Sequence, residues 1–169
     1  DPVYGWDNIP EKNITYNYRD EDGSTRTVNY ATYYKGYRLV PSKDDLNRSN
    51  NKHTTILVLG DSFTQATQVS NGEEYFSYIS EIPNVLVYAK GVDGWGTLQE
   101  YLFIKNNIAE INPDIIIIQF CDNDFVNNNY YLDKNSIIHN SGRLKPYLEN
   151  HTIMYKNPSH IQIPLIHKM

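Results

Sequence analysis

Three short apolar runs constrain this chain more than any other feature: Ile56 to Leu59 in "TTILVLGDS", "NVLVYA" at 84–89 and "DIIIIQF" at 114–120. Continuous aliphatic runs of this length read as strands covered on both faces, the pattern of a parallel sheet. Between the first two lies "NGEEYFSYISEI" (71–82), where Tyr75, Phe76, Ile79 and Ile82 recur at helical spacing. Asn71 stands before them as an N-cap, with acids in the first turn. Between the second and third, "TLQEYLFIKNNIAEI" (97–111) puts Leu98, Tyr101, Leu102, Ile104, Lys105 and Ile108 in an order that gives one apolar face. The order β-α-β-α-β with short connections predicts an α/β fold, a three-layer α/β/α sandwich around a parallel sheet with right-handed crossovers. The run at 114–120 reads as the most buried strand.

Residues 1–50 have a different character, rich in Tyr, Asn and charge. Asp22-Gly23 between "TYNYR" and "TRTVNY" is a hairpin signal. These residues are read as a small β-rich N-terminal extension, and 51–169 as the main α/β domain. "KDDLNRSNNKH" (43–53) is read as a solvated connector. The tyrosines at 4, 16, 18, 30, 33, 34 and 37 are expected to pack the extension against the main domain; a stacking surface for sugar rings is the alternative.

Composition narrows the classes. With 169 residues, 40% of them hydrophobic, one main domain can bury a sizeable core. A net charge of -5 with no recurrent Lys/Arg block lacks the footprint of a nucleic-acid binder. No apolar run, Ile115 to Ile118 included, approaches the roughly 20 residues of a membrane span. A single cysteine, Cys121, excludes an internal disulfide framework and multi-cysteine zinc, and is expected to be an inert small hydrophobe. The Asn-x-Ser/Thr triplets at Asn13, Asn47 and Asn150 are read as chance in an Asn-rich chain. A start at Asp1 without Met suggests removal of an upstream segment, and with it a secreted or extracytoplasmic location, anchored through that segment or free.

Ligands of open parallel sheets bind beyond the carboxyl ends of the strands. Three segments qualify here: Gly60-Asp61-Ser62, "GVDGWGT" (91–97) and "CDNDF" (121–125). Ester cleavage by a serine needs an accessible hydroxyl, a base, and donors aimed at the oxygen that becomes negative. Gly60 allows a sharp turn, Ser62 offers its hydroxyl and its own N–H, Gly94 a bare peptide N–H, and Asn123 a carboxamide. A lone Gly-Asp-Ser is an ordinary turn; three such segments closing three strands are not. "GVDGWG" departs from the Gly-x-Gly-x-x-Gly spacing of dinucleotide loops, so no cofactor is expected. Asp122, Asp124 and the acids of "DEDGS" (20–24) lack the further ligands of a metal site and are read as turn and capping residues.

These blocks resemble the SGNH hydrolases, or GDSL-type esterases. "LGDSFT" is similar to the first block, which implies Ser62 as nucleophile. "AKGVDGWGTLQEY" resembles the second, implying Gly94 as an oxyanion donor, and "IIIIQFCDNDF" the third, implying Asn123 as the side-chain donor, with Cys121 where the family has Gly. "DPVYGW", "YYKGYR" and "GRLKPYLENHTIMY" resemble a secreted or membrane-associated prokaryotic branch. The resemblance implies a flavodoxin-like fold and a serine esterase acting on small acyl esters, such as O-acetyl groups of a carbohydrate or a lipid ester. An O-acyltransferase acting on a cell-surface polysaccharide and a non-catalytic carbohydrate-binding protein are the alternatives. The fourth block, an Asp-x-x-His that supplies the base and its orienting acid, does not occur. Among His53, His139, His151, His160 and His167 none follows an acid at that spacing. The base is therefore expected beyond Met169, with a rewired His151 or His160 as the other option.

Overall fold

The computed structural model describes residues 1–47, 53–138 and 142–158. It opens with the hairpin, β1 (Asn13–Arg19) and β2 (Thr25–Ala31), paired antiparallel from Asn13↔Ala31 to Arg19↔Thr25. The turn is built by Gly23 at φ +85° and by Asp22, whose Oδ1 accepts the Ser24 N–H at 2.9 Å. The acids of "DEDGS" thus act in a turn. The connector contains one helical turn, α1 (Lys43–Asn47). Reciprocal bonds between Ser42 and Asp45, each at 3.1 Å, cap it.

The main domain follows as β3 (Thr54–Gly60), α2 (Ser62–Gln65), α3 (Tyr75–Ser80), β4 (Val85–Gly91), α4 (Thr97–Ile111) and β5 (Ile115–Gln119). The three strands are parallel in the order β4-β3-β5. Side chains of β3 alternate between faces, as the two-residue period of a strand demands. Leu57 and Leu59 join Tyr4, Tyr37, Trp95, Leu102 and Phe103 beneath α4, whereas Ile56 and Val58 join Phe76, Val87 and Ala89 beneath α3. Helices therefore cover both faces, giving the three layers. Tyr4 and Tyr37 carry the N-terminal segment into the core, while Tyr33 and Tyr34 stay exposed. No helix among the described residues is long and apolar enough to cross a membrane.

After β5 come α5 (Asn123–Asn127), α6 (Tyr130–Asn135) and a hairpin of β6 (Lys145–Glu149) and β7 (Thr152–Lys156). The two residues of its turn, Asn150 and His151, both take left-handed φ values of 47° and 62°. That matches the tight turn that suits the twist of paired strands. Sequence reasoning did not identify this hairpin.

Two further expectations are corrected. The run at 114–120 is not the most buried: Ile115, Ile116 and Ile118 are 46%, 37% and 41% exposed, whereas Leu57, Val58 and Leu59 of β3 are fully buried. β5 is the end strand and has no hydrogen-bonded neighbour beyond β3 among the described residues, so apolar composition did not translate into coverage. Asn71 is not the N-cap of α3, which starts at Tyr75 after Glu74. The Asn71 carboxamide oxygen is engaged elsewhere, accepting from the Ala31 N–H at 2.7 Å and from Arg38 Nη1 at 2.6 Å.

Arg38 links the extension to the site-bearing part of the fold. Its guanidinium is 1% exposed and lies 4.2 Å from the Tyr30 ring centre. It donates to Gln65 O at 2.7 Å, to Ala31 O at 2.5 Å and to the buried Glu74 carboxylate. Removing one partner of such a buried pair strands the other charge in a dry environment, which costs about 3–5 kcal/mol. Arg38→Ala is therefore expected to lower the stability measured by urea unfolding by that amount. Asp20→Asn, which breaks the exposed Arg26–Asp20 pair, is expected to cost less than about 1 kcal/mol.

Candidate active site

β3 meets both neighbours in register at its last residue, Gly60 opposite Gly91 of β4 and opposite Gln119 of β5. The short helix α2 rests directly on this rim. A Cβ on Gly60 would sit 2.2 Å from Thr64 Oγ1, and one on Gly91 would sit 2.0 Å from Gln65 N. The second clash is with backbone, which cannot swing aside. Gly60 is thus required for close approach, not for a left-handed turn, since its φ is not in that region. Thr64 fixes the seat by donating from Oγ1 to Gln119 Oε1 at 2.5 Å.

Asp61 caps α2. Its fully buried carboxylate accepts the Phe63 N–H at 3.0 Å, the Asn123 Nδ2 at 3.0 Å and the Cys121 thiol at 3.5 Å. One carboxylate thereby binds the end of β3 to the segment after β5. Ser62, half-buried, begins α2 next to it. The Asn123 carboxamide, with one hydrogen on Asp61, keeps a second for another acceptor. Gly94 lies in the corner after β4 with φ +74°, a conformation that glycine adopts without strain. Its space is otherwise open: a Cβ there would only touch Trp6 Cζ2 at 3.4 Å. Ser62, Gly94 and Asn123 therefore stand at the same end of the sheet, two, three and four residues beyond register-matched strand positions. Beside Ser62 opens a cleft of about 450 Å³, walled by Trp6, Tyr16, Gln65, Gln68, Asp93 and Arg143 among others.

A family model described as GDSL-like Lipase/Acylhydrolase matches residues 56–164, more than half of the chain. The chain belongs to this family. A search of the curated proteins and a search of the solved structures each found no match. Membership assigns the GDSL-like chain to the hydrolases of lipase and acylhydrolase type, and the match begins within β3, so it takes in all three strand-end corners.

Neither described histidine lines the cleft of this GDSL-like protein. His53 precedes β3 and is separated from the site by the length of a seven-residue strand, about 23 Å. His151 sits in the β6–β7 turn and lines a separate groove with Tyr101, Leu148 and Ile153. His139, His160 and His167 lie outside the described residues. Among the described residues no three His, Cys, Asp or Glu side chains are grouped as a metal site.

Behind the rim lies an acidic layer that sequence reasoning missed. Glu100 of α4 is fully buried, and neither carboxyl oxygen has a hydrogen-bond partner among the described residues. Burial first, then the charges of Asp124 and Asp61, push its carboxyl up to about 8. Asp124 accepts the Cys121 N–H at 3.0 Å, a capping role across the start of α5, and its carboxyl is also raised by burial. Lys145 and Asp133 pair at 2.5 Å nearby, with Tyr147 donating to the same Asp133 oxygen at 2.8 Å. The face that α4 buries differs from the one its spacing predicts: Gln99, Glu100, Leu102, Phe103, Asn107 and Ile111 are buried, whereas Tyr101 and Ile108 of the expected apolar face are exposed.

In the folded chain Glu100 holds its proton up to about pH 8, while the unfolded chain loses it near the ordinary value of 4.5. Stability contributed by this group therefore falls as pH rises between those values. Glu100→Gln is expected to be more stable than the parent by on the order of 1–3 kcal/mol at pH 8 and equal to it near pH 4, read from urea midpoints. Burial and then Asp61 push the Cys121 thiol up to about 12. Alkylation of this sole cysteine by iodoacetamide at pH 8 is expected to run about three orders of magnitude slower than that of an unperturbed thiol, measured by mass spectrometry.

Proposed function

We propose that the protein is a serine esterase that hydrolyses small acyl esters through an acyl-enzyme on Ser62. Ser62 Oγ attacks the ester carbonyl carbon while its proton passes to a base. The carbonyl oxygen takes the negative charge, facing the N–H groups of Ser62 and Gly94 and the free hydrogen of the Asn123 carboxamide. Collapse breaks the bond to the alcohol oxygen, which leaves with the proton from the base, and water then hydrolyses the acyl-serine by the same path. The base in this reading is a histidine outside the described residues, in keeping with the lack of any Asp-x-x-His in the 169 residues. The acyl group is small, as in O-acetyl esters of a carbohydrate or a short lipid ester.

The observation that carries this reading is the 3.0 Å hydrogen bond from Asn123 Nδ2 to Asp61. It couples the would-be oxyanion donor of one strand end to the residue preceding the nucleophile of another, so donor and hydroxyl cannot drift apart. Preorganised donors of this kind are worth about 10²- to 10³-fold in rate each. With the full-length protein and 4-nitrophenyl acetate, Ser62→Ala is expected to lower kcat/KM by about 10³-fold or more, and Asn123→Ala by about 10²-fold with KM little changed. A fluorophosphonate is expected to label Ser62 in the parent and nothing in Ser62→Ala. Full activity of Ser62→Ala with its fold intact would overturn the proposal.

A further inference from the structure

The cleft beside Ser62 has a wall that the family match does not include. Trp6, Asn8 and Tyr16 come from the N-terminal segment, upstream of residue 56 where that match begins. This wall is fixed in place. The indole Nε1 of Trp6 donates to Asp93 O at 2.8 Å, and its backbone carbonyl accepts from Trp95 Nε1 at 2.9 Å. The ring's Cζ2 lies by Gly94, 3.4 Å from where a Cβ there would sit, and the Arg143 guanidinium stands by with its Cζ 5.2 Å from the ring centre. Asn8 works as a clamp: its amide donates to Gly36 O at 3.0 Å and Gly91 O at 2.8 Å, and its oxygen accepts from Gln65 Nε2 at 2.8 Å. The segment is thereby bolted to the end of β4 and to α2 together.

We infer that this cleft is the subsite for the alcohol half of a neutral carbohydrate ester, with Trp6 and Tyr16 of the N-terminal segment as its specificity-determining walls. The inference rests on the esterase reading for the position of the reacting carbonyl, and its chemistry comes from the lining. Val92 is the only aliphatic side chain among the residues that line the cleft, and it is 2% exposed, so beyond the two aromatic faces a lipid chain would find little apolar surface there. Two aromatic walls combined with amide, hydroxyl and carboxylate groups match a pyranose, which has apolar C–H faces and a girdle of hydroxyls. Charge in the cleft balances: Asp7 pairs with Lys90 at 2.5 Å, and the exposed Asp93 offsets Arg143. A ring without a carboxylate suits this balance better than a uronate.

The test is calorimetric titration of the full-length Ser62→Ala protein, which cannot consume the ester, with three probes: partially O-acetylated xylo-oligosaccharides, partially O-acetylated oligogalacturonates and dioctanoylglycerol micelles. The expected result is saturable binding of the neutral oligosaccharide alone, weakened at least tenfold by Trp6→Ala. Trp6→Phe, which keeps an aromatic wall, and Tyr16→Leu, which keeps bulk without an aromatic face, provide the same reading should Trp6→Ala fail to fold: the first retains binding and the second loses at least threefold. No binding of the neutral probe, tighter binding of the acidic or lipid probe, or affinity indifferent to all these substitutions overturns the inference. Labelling of Ser62 by a fluorophosphonate is independent of these outcomes, so the subsite can fail while the esterase reading stands, and the reverse.

Discussion

Two glycines paired across adjacent strands allow everything else at the rim. Gly60 and Gly91 lie opposite each other; the Thr64 side chain fills the space a Cβ on Gly60 would need, and the backbone of α2 the space a Cβ on Gly91 would need. A strand that ended on any larger residue would hold this helix away from the sheet, and Ser62 with it. Seated this low, α2 brings Asp61 beneath the surface, where a carboxylate must be satisfied by donors because water cannot reach it. Phe63, Asn123 and Cys121 supply those donors. The demand of one buried charge thus recruits the third strand end to the first.

The N-terminal segment is bound to this arrangement by the same logic. Arg38, Lys90 and Asn8 are polar groups placed where solvent is scarce, and each is answered by partners distant in the chain. Arg38 reaches Gln65 and Ala66 carbonyls at the end of α2 as well as Glu74. Lys90 Nζ, fully buried, donates to Lys35 O at 2.5 Å and pairs with Asp7; burial pulls its ammonium below the ordinary lysine value despite that pairing. Buried ion pairs add little net stability over apolar packing, but they penalise any alternative docking that separates them. For a segment that forms one wall of a cleft, such registration matters more than adhesion.

The acidic layer behind the site poses the opposite situation. Glu100, Asp124 and Asp61 share a dry region, and their mutual repulsion is relieved by keeping one of them protonated. Lys145 is fully buried in the same region but is held by Asp133. Asp61, at the strand-end rim, has its donors; Glu100 of α4 has none among the described residues and retains its proton up to about pH 8.

The sequence alone determined the local periodicities and the corners that interrupt them. Short aliphatic runs, an Asp-Gly between alternating tyrosines, and Gly-Asp-Ser, Gly-Trp-Gly and Asp-Asn-Asp after successive strands are signals carried within a few residues, so the parallel α/β order, the hairpin and the candidate residues Ser62, Gly94 and Asn123 were legible. Only the tertiary structure decided which groups those corners meet. Asn71 is an N-cap by local rules, yet it serves Arg38 and Ala31; "IIII" reads as core, yet β5 is an end strand; Tyr101 and Ile108 read as part of the apolar face of α4, yet both are exposed while Glu100 is buried; Trp6 gives no sign that it lies against Asp93 and Gly94, 87 residues away in the first case. Burial and hydrogen-bond partnership depend on what the chain brings from afar, and no window of neighbouring residues contains that information.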